Sequence, residues 1–437
     1  MKHHNWKHSL REAAGRHASR RGAFSAGLTA LAVAAVLVFN LIAAQLPESW
    51  SQFDLSGSGI YDITDTSRDY LADLTYQKNI HTVSYLFGDN TRAAQKVGMA
   101  SYIPTDLSTL GANRTAVAPN NVFVAQVTEM DENGCFQLSY CEMFEKQMLE
   151  CAETIILEVN PQFRRVRGGL DIHISQVSAL YLSPKAPFIL PRDDGSSEID
   201  RKIGNYIADL IPDAATIQLG IGRLPDAVAV RLAEKNDLGL HTEMFTSNML
   251  GLVRSGNITG KYKTVDPGEH LGCFALGDAE LYETLSSNPA CRIAPSSYTN
   301  DPAVIAPQDR MFSVNTCLEI DLYGQVCSES IGTRQFSGTG GAADFASGAM
   351  RSKGGRGVVA FTSTAKKGTI SKIKATLTPG APVTIHRNLV DTIVTEYGVA
   401  ELKGRTVPER ARALIAVAHP DFRESLLEEG KKMGILF

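Results

Sequence analysis

Thr216-Ile-Gln-Leu-Gly-Ile-Gly-Arg-Leu-Pro-Asp-Ala-Val228 reads as a strand, a glycine turn and a helix in immediate succession, with Pro225 near the first helical position. The same order recurs from Leu238 to Gly256, where a short strand runs to Glu243 and a helix follows with Ser247 as its expected N-cap. Strands that feed helices through tight turns build a mostly parallel sheet with helices over its faces. Ligands of such sheets bind beyond the carboxyl ends of the strands, which is where Glu243 falls. A glycine turn opening a helix offers free backbone N–H groups to an anion or a developing oxyanion. Each piece alone has a plainer reading. Glu243 could be a salt-bridged surface residue, and Gly220-Ile-Gly222 lacks the third glycine of a dinucleotide fingerprint.

The pattern extends over most of the chain. Val122–Thr128 and Thr154–Asn160 read as strands on either side of a helix over Phe144–Ala152. Ser183–Ser197 is rich in proline, glycine and charge and marks a boundary between a first α/β domain (80–195) and a second, catalytic one (196–437). The second opens with a helix over Ile199–Ile211, its core face expected from Ile199, Ile203, Tyr206, Ile207 and Leu210. Val314–Asp321, Gly357–Thr362 and Val390–Thr395 are further strands, and Thr406-Val-Pro-Glu409 is a capping box opening a helix through Ala418.

Residues 1–22 are basic, and the run Phe24–Leu46 carries no charge. That run is long enough to cross a hydrocarbon core of about 30 Å, so 23–46 is expected to be a transmembrane helix with its N-terminus in the cytoplasm. A signal peptide and a buried core helix are the rival readings. Elsewhere the composition is that of an ordinary globular protein, with 43% hydrophobic residues and a net charge of −4. No basic excess speaks for nucleic acid. The seven cysteines are scattered without a C-x-x-C, so neither zinc nor a disulfide framework is expected.

Four features add to Glu243. Gly332–Phe345 is glycine-rich, with Ser337, Gly338, Gly340 and Gly341 in a short window that lets backbone approach a ligand; a flexible surface loop is the alternative. Asn300 could donate an amide N–H to a carboxylate or merely start a turn. Lys366 could meet a phosphate or stay solvated. Glu396, in Thr395-Glu-Tyr-Gly398, is either a second active-site acid or a paired structural carboxylate.

These stretches, together with the ending Arg410–Phe422, resemble the acetyl-CoA hydrolase/transferase family from roughly residue 80 onward. The resemblance implies two open, mostly parallel-sheet domains, a cytoplasmic body and a homo-oligomer. It implies that Glu243 attacks the acyl-CoA thioester, supported by Asn300 and Glu396. It places coenzyme A against Gly220, Ile221, Gly222, Arg223 and Leu224, against Ser337, Gly338, Gly340 and Gly341, and against Leu318 and Lys366. Acyl-CoA and small carboxylic acids are the implied substrates, with no metal or redox cofactor. The family's opening strand and glycine/proline turn are not seen, so the first domain is expected to be truncated at its start. In their place, Phe53-Asp-Leu-Ser56 and Tyr61–Arg68, with the apolar run before them, resemble the start of an ABC-transporter auxiliary protein of the gliding-motility type. Residues 47–79 are accordingly expected to be a linker or foreign segment, and the body to be tethered to the inner membrane by the apolar run.

The expected activity is CoA transfer between a short-chain acyl-CoA and an acid such as acetate, through a glutamyl-CoA thioester on Glu243. An acyl-CoA hydrolase using the same intermediate is the enzymatic alternative. A non-catalytic, membrane-anchored transporter component is the alternative from another class.

Overall fold

The computed structural model describes residues 73–74, 81–183, 189–190, 195–220 and 222–437. The basic segment, the apolar run Phe24–Leu46 and the motif Tyr61–Arg68 lie outside the described residues, as does Ile221. Among the described residues no helix is long and apolar enough to cross a membrane.

In the first domain β1 (Thr82–Ser84) and β2 (Ala100–Tyr102) pair in parallel through helix α1 (Asp89–Lys96). Helix α2 (Leu110–Val117) leads to β3 (Val122–Val127), β4 (Cys135–Leu138), helix α3 (Glu145–Cys151), β5 (Thr154–Val159), β6 (Leu170–His173) and β7 (Ala179–Leu182). β3, β5 and β7 form a parallel sheet in that order, while β4 and β6 pair antiparallel. Phe123, Phe136, Leu157 and Ile172 fill the core between them, together with Cys273 from the second domain.

The second domain is built on an eight-stranded sheet, with short ribbons beside it. After helix α4 (Glu198–Leu210) come β8 (Thr216–Leu219), helix α5 (Arg223–Leu232), β9 (Gly239–His241), helix α6 (Ser247–Arg254), β10 (His270–Gly272), helix α7 (Ala279–Ser287) and β11 (Cys291–Ile293). β12 (Met311–Asn315), helix α8 (Ala342–Arg351), β13 (Arg356–Ala360), β14 (Thr392–Thr395), β15 (Gly398–Glu401), α9 (Val407–Ala416) and α10 (Pro420–Lys432) complete it. The sheet order is β11-β10-β9-β8-β12-β13-β14-β15, parallel except for the last pair. β8, β9, β10 and β14 are buried along their whole length, as expected for strands covered on both faces. From β8 the chain steps outward through β9, β10 and β11, then returns across β8 to lay down β12. The carboxyl ends of β8 and β12 therefore flank the point where the winding reverses, which is where such sheets open a crevice.

Several expected details differ. Thr246, not Ser247, caps α6: its hydroxyl accepts the Met249 N–H, while Ser247 Oγ accepts the Asp278 N–H. Val314–Asp321 is not one strand, because the chain leaves the sheet after Asn315 and restarts as a separate ribbon at Glu319–Asp321. Ile199 is 44% exposed, although Ile203 and Ile207 on the same helix are fully buried. The Thr406–Glu409 capping box forms as expected, with the Thr406 N–H donating to Glu409 at 2.8 Å.

Candidate active site

Glu243 sits at a bend between β9 and the two-residue strand Met244–Phe245. Its backbone carbonyl accepts the N–H groups of Cys273 (2.9 Å) and Phe274 (3.3 Å), just past β10, so the bend is pinned by the neighbouring strand. The half-buried carboxyl is cradled from two sides. Asn300 Nδ2 donates to Oε2 at 2.8 Å, and the Gly341 backbone N–H donates to the same carboxyl. Burial pushes the Glu243 carboxyl above its ordinary value, and these two donors oppose the rise.

The glycines of this cradle are required by space. A Cβ on Gly341 would fall 2.0 Å from Asn300 Nδ2 and 2.1 Å from Glu243 Oε2. Gly340 has φ +54°, and its α-carbon faces Glu243 Oε1. Gly338 serves another purpose: a Cβ there would lie 2.0 Å from the Tyr85 carbonyl oxygen, so the loop runs backbone to backbone against the first domain. Ser337 accepts the Phe87 N–H at 3.3 Å on the same seam.

Asn300 ends the helical turn Ser296–Thr299, and its N–H donates to Ser296 O at 2.9 Å. The preceding carbonyl, Thr299 O, accepts from His241 Nε2 at 2.8 Å. His241 is two residues before Glu243, so one imidazole braces both members of the pair. Its burial, helped by the nearby Lys263 charge, lowers its pKa to about 3 and keeps the ring neutral. Cys273 completes the packing, its Sγ lying 3.1 Å from Glu243 O and 3.7 Å from Asn300 Oδ1.

The other expected residues lie along the same edge of the sheet at different distances. Gly220 follows β8, the strand next to Glu243's own, but its N–H is not free: it continues the ladder to Val314 O at 3.0 Å. Gly222 caps α5 with φ +104°, ψ 179°, a conformation essentially confined to glycine. Arg223 is exposed in the first turn of α5, and Leu224 packs on the core. Leu318 follows β12 and is half-buried, its N–H donating to Cys327 O at 2.9 Å. Lys366 is exposed in the turn of the hairpin Thr364–Ala365/Ile370–Ser371, with φ +47°. Glu396 is not brought to Glu243. It follows β14, four strand positions from β9, about 19 Å at ordinary spacing, and accepts from Ser363 N (2.8 Å) and Oγ (2.6 Å).

Comparison with known proteins gives this edge its setting. The N-terminal domain of the acetyl-CoA hydrolase/transferase family matches residues 29–190, and its C-terminal domain matches residues 277–430. The chain belongs to the acetyl-CoA hydrolase/transferase family. The 4-hydroxybutyrate coenzyme A transferase of Clostridium kluyveri is 41% identical over 82% of this chain and 83% of its own length. The butyryl-CoA:acetate CoA-transferase of Anaerostipes caccae is 39% identical over 80% and 81%. Among solved structures, RipA from Yersinia pestis is 36% identical, with a TM-score of 0.78 over 83% of each chain.

The family match bears on one expectation. It begins at residue 29, inside the apolar run, so the likeness takes in much of the stretch expected to be foreign. The transporter resemblance finds no support in these comparisons.

Sequence reasoning missed His241, Cys273 and Asp344. Asp344 stood inside the glycine-rich motif, three residues past Gly341, and an acid in the first turn of a helix was the signal that could have drawn attention to it. His241 and Cys273 gave none, because a buried imidazole or thiol looks in sequence like any other core residue.

Proposed function

We propose that this protein is a CoA-transferase that moves CoA between a short-chain acyl-CoA and a carboxylic acid such as acetate, with Glu243 as the covalent carrier. The observation that carries the reading is the Glu243 cradle: a half-buried carboxylate held by Asn300 and the Gly341 N–H at the mouth of a parallel sheet. The relatives named as CoA-transferases support it.

One Glu243 oxygen attacks the acyl carbonyl, the C–S bond breaks, and CoA leaves as thiolate, so that a mixed anhydride of Glu243 and the acyl group remains. The thiolate then attacks the Glu243 carbonyl carbon. This forms a glutamyl-CoA thioester and releases the original acyl group as its carboxylate. The acceptor carboxylate runs the two steps in reverse, restoring Glu243. No proton is gained or lost overall. A covalent carrier divides one difficult exchange into easier steps. Donors fixed before reaction stabilise the oxyanion that forms at the carboxyl carbon, and Asn300 and Gly341 are such donors. Gly222, the start of α5, Leu318 and Lys366 then lie along the strand ends as the contact line for CoA, and Glu396 shapes it by holding Ser363. We place the enzyme body in the cytoplasm, where CoA is found.

The test is mass spectrometry of the protein incubated with butyryl-CoA and no acceptor. A CoA-sized adduct is expected on the peptide containing Glu243, and Glu243→Ala is expected to lose both adduct and turnover. An active Glu243→Ala variant would sink the proposal. CoA release that does not depend on acetate would instead mark a hydrolase.

A further inference from the structure

The two arms of the Glu243 cradle come from the second domain, yet both are fastened to one dipeptide of the first. Ser296 Oγ, at the base of the Asn300 turn, is 2.9 Å from Leu107 O and 2.7 Å from Met143 O. The next residue, Ser108, donates from its backbone N–H to Asp344 Oδ2 at 3.1 Å and from its hydroxyl to Oδ1 at 2.8 Å. Asp344 is 4% exposed and lies in the first turn of α8, three residues beyond Gly341. A carboxylate so buried is retained at a desolvation cost unless its bonds hold something in place.

We propose that Asp344 is a positioning residue of the CoA-transfer site, clamping the Gly340–Gly341 arm to Ser108. The inference rests on Glu243 being the reacting carboxylate. With its two Ser108 bonds made, Asp344 fixes where α8 begins and hence where the Gly341 N–H points. A shift of about 1 Å in such a donor is enough to lose much of its effect on a reacting group. Burial pushes the Asp344 carboxyl up to about 7, the Ser108 bonds oppose this, and the charges of Asp106 and Glu243 add to it. Asp106 comes from the same first-domain segment as Ser108, and Glu243 from the end of β9.

Two substitutions separate the clamp from the charge. In Asp344→Asn the amide can accept the Ser108 N–H and donate to the Ser108 hydroxyl, so the clamp stays and the charge goes. In Ser108→Ala the charge stays and half the clamp goes. Both are studied in the full-length chain with butyryl-CoA and acetate. Asp344→Ala is expected to lower kcat as Ser108→Ala does, and Asp344→Asn, which keeps the clamp, to restore most of what the alanine loses. Ser108→Ala is expected to lower kcat about tenfold with little change in the KM for butyryl-CoA, and Ser108→Thr to restore it. No recovery in Asp344→Asn, or wild-type kcat in Ser108→Ala, overturns the inference. The adduct measurement keeps the two proposals apart. Absence of the Glu243 adduct in the unmodified protein refutes the carrier role itself, whereas an adduct together with wild-type kcat in Ser108→Ala refutes only the role of Asp344.

Discussion

Asn300 Nδ2 lies 2.8 Å from Glu243 Oε2, and with that contact it joins the ends of two strands, β11 and β9, that are separated by β10. The donor is fixed by a helical turn and by His241 before any substrate arrives. A donor fixed in advance does not have to be reorganised as charge develops, and this is the source of its value in catalysis.

Asn300→Ala should therefore lower kcat by about a hundredfold, the usual loss for one oxyanion donor. It should also move the acid limb of the pH profile. Burial already raises the Glu243 carboxyl, and Asn300 opposes the rise, so its removal raises the pKa further. With the carboxylate form as the proposed nucleophile, activity falls as pH drops through that value, and the limb should shift to higher pH. Steady-state kinetics from pH 5 to 8 would check both effects.

Gly341→Ala should abolish turnover without unfolding the protein. The added methyl would meet Asn300 Nδ2 and Glu243 Oε2 at about the same close range, so it would separate the donor from the acceptor. Circular dichroism should remain that of the parent, while activity falls at least as far as in Asn300→Ala.

Gly222→Ala probes the proposed CoA contact line independently of chemistry. A Cβ there meets nothing within 4 Å, yet φ +104° is strained for alanine by about 1–3 kcal/mol. Relaxation of that turn should raise the KM for acyl-CoA more than it lowers kcat. Equal effects on both would show that the turn acts on the reacting centre instead.

Two buried histidines make stability fall in mild acid, while the raised carboxyls of Glu142 and Asp344 act in the opposite direction. His241 and His270 are lowered by burial to about 3 and about 4. Their unfolded values lie near 6.5, so below that pH the unfolded chain binds protons that the folded one refuses. Each contribution is present above pH 6.5 and is lost progressively as pH falls toward 4. Together they amount to several kcal/mol, on the order of 1.4 per pH unit each, and the difference in melting temperature between the parent and a His270 variant from pH 7 to 4.5 isolates one of them. His270→Gln, which cannot charge, should flatten the curve.

Much of this site was legible in the chain because its parts obey local rules. Glu243, the glycine turn at Gly220–Gly222 and Glu396 each follow a strand that reads as one, so their common edge could be anticipated. Gly340 and Gly341 announced a close approach, and the structure supplies the partners, Glu243 and Asn300. The order of the strands could not be read the same way. It decides that Glu396 stands four positions from β9 while Asn300 stands two, and it depends on which runs the chain pairs across long intervals. The N-cap of α6 was misplaced by one residue because Thr246 and Ser247 are both good caps. The choice went to Thr246 once Ser247 Oγ was taken by Asp278.

Gly338 lies so close to the Tyr85 carbonyl that no side chain fits between them, and Cys273 of the second domain sits in the core of the first. The proline-rich stretch near residues 183–197 is thus a convenient place to cut the sequence and a poor place to cut the enzyme. Expressed as separate halves, each piece would carry a torn surface: one core open where Cys273 belongs, and one glycine loop without its wall. Recombination between relatives would meet the same barrier. A first domain from another enzyme has to bring a backbone that fits against Gly338 and a serine placed for Asp344, so the two domains are expected to be inherited as a matched pair.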